Sequence, residues 1–122
     1  MGLGGKADPY CLLRFGKQQQ KSNYVKQELN PVWNEIFTFD VETGKEVLEI
    51  IVFDKDDFGK DDFEGRCELS LEDYRDQSPH DIWLDLEAEK PNQKWQGRIR
   101  VNIQYIFSKT KMLTGYINMW TE

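Results

Sequence analysis

The chain has little histidine, little cysteine and no long apolar run, and each shortage excludes something. His80 is the only histidine. It has no cysteine, serine or acid at informative spacing, and no glycine-rich loop is placed to cradle a phosphate. An activated nucleophile is therefore missing, and an enzyme is not expected. Cys11 and Cys67 are the only cysteines. A secreted disulfide scaffold of this length carries more, so the two read as buried, reduced thiols. No apolar stretch is long enough to span a bilayer, and there is no secretory leader and no Asn-x-Ser/Thr acceptor. These absences point to a soluble, cytoplasmic setting. Basic excess is also lacking: the net charge is −6. Nucleic-acid binders carry a basic stripe, so no nucleic-acid partner is expected.

What is present describes one domain, residues 1–122. A chain of this size buries about 65% of its unfolded surface, enough for a core without staples. At 39% hydrophobic and 31% charged residues, it is globular rather than disordered. The dominant hydrophobic period is two. Leu48, Ile50 and Val52 share one face of their segment, and Ile99, Val101, Ile103 and Tyr105 alternate with Arg98, Arg100, Asn102 and Gln104. Further strand candidates are Tyr10 to Phe15, Gln20 to Lys26, Asn34 to Asp40, Arg66 to Ser70, Asp81 to Asp85 and Met112 to Trp120. Turn signals separate them: Phe15-Gly16-Lys17, Asn30-Pro31, Thr43-Gly44, Phe58-Gly59-Lys60, Ser78-Pro79 and Lys90-Pro91-Asn92. Roughly eight short strands predict an all-β, antiparallel sandwich. Only Leu71 to Asp76 suggests a short helix, with Ser70 as its cap.

The chemistry concentrates in Asp54-Lys55-Asp56-Asp57-Phe58-Gly59-Lys60-Asp61-Asp62-Phe63-Glu64-Gly65. Two unit charges 4 Å apart interact by about 4 kcal/mol at an effective dielectric near 20, so crowded carboxylates need a neutralising partner. A hard divalent cation with oxygen ligands supplies one, and calcium tolerates irregular loop geometry. Asp54 and Asp56 point the same way if the strand continues, and Gly59 lets the loop turn back toward Asp62. An EF-hand does not fit. Phe58 and Gly65 occupy ligand positions, and the flanks are strand-like. A solvated acidic hairpin without ligand remains the alternative. Asp8-Pro9-Tyr10, ahead of the first strand, is by itself an ordinary turn.

Taken together, the motifs resemble the C2 domain, a calcium- and phospholipid-binding β-sandwich family. The resemblance rests on Gly5-Lys6-Ala7-Asp8-Pro9-Tyr10, then Asn30-Pro31-Val32-Trp33-Asn34-Glu35 with Phe37 and Phe39, then Leu48, Ile50 and Val52 leading into Asp54-x-Asp56, then Asp62-Phe63-x-Gly65. It covers about residues 5–107, and 108–122 form an extra strand-like segment. It implies an eight-stranded Greek-key sandwich whose end loops hold Ca2+. The implied ligands are Asp8, Asp54, Asp56, Asp62 and the backbone carbonyl of Lys55, with Asp57 and Asp61 as auxiliary field or solvated charge. Phe58, Leu3 and Lys60 would contact an anionic phospholipid membrane, and Arg14, Lys17, Lys21 and Lys26 resemble the family's basic patch. Two departures stand out. Gly2 occupies the place of a first-loop aspartate, and the family's usual first strand is absent, a slot that Leu113 to Trp120 could fill. The implied function is calcium-dependent targeting to membranes, peripheral and from the cytoplasm when calcium rises. The alternative is a calcium-independent module for other proteins or phosphoinositides, with an incomplete calcium site.

Overall fold

The computed structural model describes residues 8–26, 32–87 and 97–106, and the backbone of 112–118. The strands are β1 (Pro9–Phe15), β2 (Gln18–Lys21), β3 (Glu35–Asp40), β4 (Val47–Asp54), β5 (Asp62–Ser70), β6 (His80–Asp85), β7 (Arg98–Ile106) and β8 (Met112–Asn118). They form two four-stranded sheets, ordered β2-β1-β4-β5 and β3-β8-β7-β6, in which every named pairing is antiparallel. The all-β sandwich expected from the period of two is therefore what the chain forms.

The core lies between the sheets. One contributes Cys11, Leu13, Phe15, Leu48, Ile50, Val52, Cys67 and Leu69; the other contributes Phe37, Phe39, Ile99, Val101, Ile103 and Tyr105. Phe15 and Phe39 meet across the interface with ring centroids 5.4 Å apart. β4 reads as a nearly continuous apolar run because it is an interior strand, and even Ile51 on its outer side is buried. Cys11 and Cys67 are both buried free thiols. They sit on β1 and β5, which flank β4. Two strand spacings separate them by about 10 Å, beyond the roughly 7 Å that a disulfide can bridge. Burial pushes the Cys67 thiol up to about 12, so it is inert at neutral pH.

Three local expectations change. β2 starts at Gln18, not Gln20, because Gly16-Lys17 makes a two-residue hairpin, with Gly16 at φ +59°. It stops early because the Ser22 hydroxyl accepts the Cys11 N–H at 2.8 Å, replacing a ladder acceptor. β5 begins four residues earlier than the apolar pattern suggests, and it carries an irregularity described below. The predicted helix is a single 3-10 turn, Leu71–Tyr74. The Ser70 side chain does not cap it; the Leu71 N–H is taken by the Glu46 carbonyl at 3.0 Å. Met112–Asn118 is a strand, as the alternation of that segment suggested, and it lies between β3 and β7. The turn signals at Pro31 and at residues 90–92, with Trp95, lie outside the described residues.

Candidate functional site

β1 and β4 run antiparallel with Pro9 opposite Asp54, so the chain entering β1 lies beside the end of β4. The Asp8 N–H donates to Asp54 Oδ1 at 2.9 Å, and the Lys55 N–H donates to the Asp8 carbonyl at 3.0 Å. On the other side of β4, Asp54 is in register with Asp62. Backbone from three segments thus converges on Asp54, with Asp8 to one side and Asp62 to the other. Trp33 supports this end from below. It is 2% exposed, and its indole N–H donates to the Pro9 carbonyl at 3.2 Å.

The β4–β5 ladder shifts register between Val52 and Phe53. Val52 pairs with Gly65 and Phe53 with Phe63, so Glu64 is the extra, bulged residue. The bulge turns the Glu64 side chain inward, to 1% exposure. Burial pushes its carboxyl up, and the charges of Asp54 and Asp62 add to that effect. Period-two reading places Glu64 in solvent and Phe63 in the core, and a bulge reverses both, so no alternation signal could have found this buried acid. Gly65 is needed for a different reason. A Cβ there would sit 2.8 Å from Leu86 Cβ, so the close approach of that segment requires glycine.

In the loop itself, Asp56 uses its carboxylate locally, accepting the Phe58 N–H at 2.8 Å as in an Asx turn. That bond helps reverse the chain. Among the described glycines only Gly16 and Gly44 have positive φ, so the reversal does not depend on a left-handed Gly59. Lys55 Nζ lies 3.4 Å from Asp57 Oδ1 and 5.4 Å from the centroid of the Tyr24 ring. Asp61, which the resemblance leaves as auxiliary field or solvated charge, has partners within the fold. Its two oxygens accept the Tyr10 hydroxyl and the Asp56 N–H, the latter at 2.9 Å. The Tyr10 hydrogen bond, with that from Asp56, holds the Asp61 carboxyl below its usual range. Burial, reinforced by Asp61, pushes the Tyr10 hydroxyl up to about 12.

Phe58 stands at the loop tip, fully exposed, with Lys60 also exposed. Leu3 and Gly2 lie outside the described residues. The four residues of the basic patch are spread out. Arg14 and Lys21 share the outer face of the first sheet; Lys17 is in the hairpin at the far end, and Lys26 follows β2 at the aspartate end. Arg14 is 3.5 Å from Glu49, which also holds Arg66 at 2.8 Å, so its charge is partly compensated. Lys21 lies over the Tyr10 ring at 4.9 Å. On the second sheet Trp83 is half-exposed beneath the Arg98 guanidinium, 4.9 Å away, and His80 contacts Asp76 and the Tyr74 ring.

Carboxylates and a carbonyl from two strand ends and a loop are the oxygen donors that a hard cation takes. Among the described residues, no group of three or more histidine, cysteine, aspartate or glutamate side chains is drawn together closely enough to hold a metal. Among the same residues, no helix is long and apolar enough to cross a membrane.

The family is decided by comparison. Residues 1–86 match the family described as the C2 domain. The chain belongs to the C2 domain family. Among curated relatives, multiple C2 and transmembrane domain-containing protein 2 of Mus musculus is 36% identical over 112 residues, covering 89% of this chain and 12% of that protein. Synaptotagmin-5 of Arabidopsis thaliana is 46% identical over 113 residues, 85% of this chain and 18% of that protein. The domain thus spans less than a fifth of the length of these relatives. A solved C2 domain of plant extended synaptotagmin 1 shares the fold, with a TM-score of 0.73 over 97% of this chain and 83% of that one at 24% identity. A structure of two C2 domains of extended synaptotagmin 2, described as calcium bound, gives a TM-score of 0.66 at 30% identity, over 93% of this chain and 36% of that one.

Proposed function

We propose that this C2 domain targets anionic phospholipid membranes in response to calcium. The observation that carries the reading is the convergence on Asp54, with Asp8 bonded to it at 2.9 Å and Asp62 in register beside it, below a fully exposed Phe58. Asp8, Asp54, Asp56, Asp62 and the Lys55 carbonyl would hold the ion. When bound, calcium supplies positive charge that offsets the aspartate field and attracts anionic headgroups. The chain's own part is to present that end. Phe58 offers an apolar side chain to the bilayer interface, with Lys60 beside it in the loop and Leu3 as a second candidate in the first loop. Arg14, Lys17, Lys21 and Lys26 are the proposed basic contacts; Lys21 and Lys26 lie toward this end of the sandwich. The relative described as calcium bound supports the reading by kinship. No catalytic role is proposed, and membrane association would be peripheral, from the cytoplasmic side.

The experiment is sedimentation with phosphatidylserine vesicles, with calcium and with chelator. Binding that appears only with calcium is the expected result; equal binding in both conditions sinks the proposal. One observation favours a second reading, a calcium-independent module for protein or phosphoinositide partners. The Asp56 carboxylate is already engaged by the Phe58 N–H at 2.8 Å. Calorimetric titration separates the two, since a domain that binds calcium gains thermal stability as calcium rises and one that does not stays unchanged.

A further inference from the structure

The 55–61 loop leaves the sandwich at Asp54 and returns at Asp62, and between them a strut ties it to the sheet. Tyr10 is opposite Phe53 in the β1–β4 ladder, and its ring stacks on Phe53 with centroids 5.5 Å apart and planes at 23°. Lys21 lies over the same ring, and Tyr10 is 7% exposed. The hydroxyl of a ring packed in this way is a fixed point of the sheet. It donates to one oxygen of Asp61, and the other oxygen of Asp61 takes the Asp56 N–H at 2.9 Å. The Asp56 carboxylate in turn takes the Phe58 N–H at 2.8 Å. A continuous chain of contacts therefore runs from the outer face of the first sheet to the loop tip.

We infer that Tyr10 is a positioning residue for this loop: through Asp61 it sets the backbone of Asp56 and, one link on, the placement of Phe58. The inference builds on the proposed function, because it says what holds a proposed calcium ligand and a proposed membrane contact in place. A part-buried, charge-assisted hydrogen bond is among the stronger polar contacts available to a loop. Losing the hydroxyl should therefore loosen the loop without touching the core, whose contacts the phenylalanine ring retains.

The test is Tyr10→Phe, with Asp61→Asn as a partner. Asp57→Asn serves as a control, since its side chain meets Lys55 at 3.4 Å and takes no part in the strut. Amide hydrogen exchange on the calcium-free domain should speed up about tenfold at Asp56 and Phe58, and stay unchanged at core amides such as Ile50. Calcium affinity by calorimetry should fall about tenfold while the melting temperature drops by only a few degrees and Asp57→Asn leaves loop exchange unchanged, a pattern that a merely structural role would not give. The double variant Tyr10→Phe, Asp61→Asn should be no worse than the worse single, because the two residues form one link. Unchanged exchange at Asp56 overturns the inference. Loosened exchange with unchanged calcium affinity overturns its functional half. A wild-type domain that gives no calcium heat overturns the proposed function instead, and the strut is then judged on exchange alone.

Discussion

The two ends of this sandwich handle acid in opposite ways. At the far end, Glu46 is buried in the loop between β3 and β4, yet it accepts the backbone N–H groups of Glu42, Thr43 and Gly44 and the Thr43 hydroxyl. Burial alone would raise its pKa. The Glu42 and Thr43 hydrogen bonds outweigh burial and bring it from 4.5 to about 2. At the near end, Asp54, Asp56, Asp57, Asp61 and Asp62 fall within nine residues, and among the described residues fewer donors reach each carboxylate: Asp8, Phe58, Lys55, Asp56 and Tyr10 supply one each to the five. One end is a finished hydrogen-bonded turn. The other is held in shape by single contacts, with charge left over. Acidity in itself marks neither function nor structure; what distinguishes the two is how many donors the chain supplies per carboxylate.

The strongest way to break that contrast is to remove the surplus charge. An Asp54→Asn, Asp56→Asn double variant should lose calcium binding by more than about a hundredfold, since affinity in oxygen-ligand sites follows ligand charge. Its calcium-free melting temperature should hold or rise, because asparagine keeps an acceptor for the Asp8 and Phe58 N–H groups while like-charge repulsion falls. Calorimetry and a thermal melt on the same samples read both. A drop in stability as large as the loss of binding would mean that this end is as finished as the other.

Phe58→Ser sharpens the contrast from the other side. A fully exposed side chain contributes nothing to the core, so the melting temperature should not change. If the ring enters the bilayer interface, its removal forfeits about 1.5–3 kcal/mol of apolar burial, or roughly 10- to 100-fold in vesicle partitioning. Vesicle sedimentation with calcium present is the readout. The reverse pattern is expected for Glu46→Gln. There the membrane readout should stay constant while stability at neutral pH falls by about 1.5–3 kcal/mol, the range for hydrogen bonds to a charged group. The pH dependence follows from the lowered pKa. The folded state favours the ionised form more strongly, so this stability is complete above the unfolded value of 4.5 and drains away as pH falls toward about 2. Denaturant melts between those limits should therefore show a steeper slope in the wild type than in the glutamine variant, which keeps only the contribution of carboxylates such as Asp61.

The near end was more legible in the sequence than the far end, for a physical reason. Clustered aspartates after an apolar strand announce themselves, and Asp8-Pro9-Tyr10 with Trp33 added a pattern that the family match bears out. The core strands were legible because Leu48, Ile50, Val52 and the residues from Ile99 to Tyr105 alternate without interruption. What period cannot encode is an inserted residue, so the bulge at Glu64 and the outward turn of Phe63 were hidden. Nor can it encode a distant hydrogen bond: Asp61 looked like solvated charge because its partner, Tyr10, lies 51 positions away. Glu46 offered no signal either, since its donors are groups of its own turn.

The smallest expected effect concerns how the far end closes the sandwich. β2 and β3 are edge strands of opposite sheets. Gln18 on β2 spans the gap with its side-chain amide, donating to the Asp40 carbonyl and accepting the Asp40 N–H at 2.9 Å, while Gln20 donates to the Thr38 carbonyl at 2.8 Å. A side-chain amide that both gives and takes imitates a neighbouring strand, and it occupies groups through which an open edge would recruit another chain. Gln18→Ala should therefore cost only about 1 kcal/mol in a denaturant melt, the scale of a neutral hydrogen bond. Its clearer sign should be faster amide exchange at Asp40 and more aggregation on heating, with calcium and vesicle binding at the other end unchanged. If those bindings changed as well, the two ends would be coupled through the sandwich, and the division between a finished end and a working end would have to be given up.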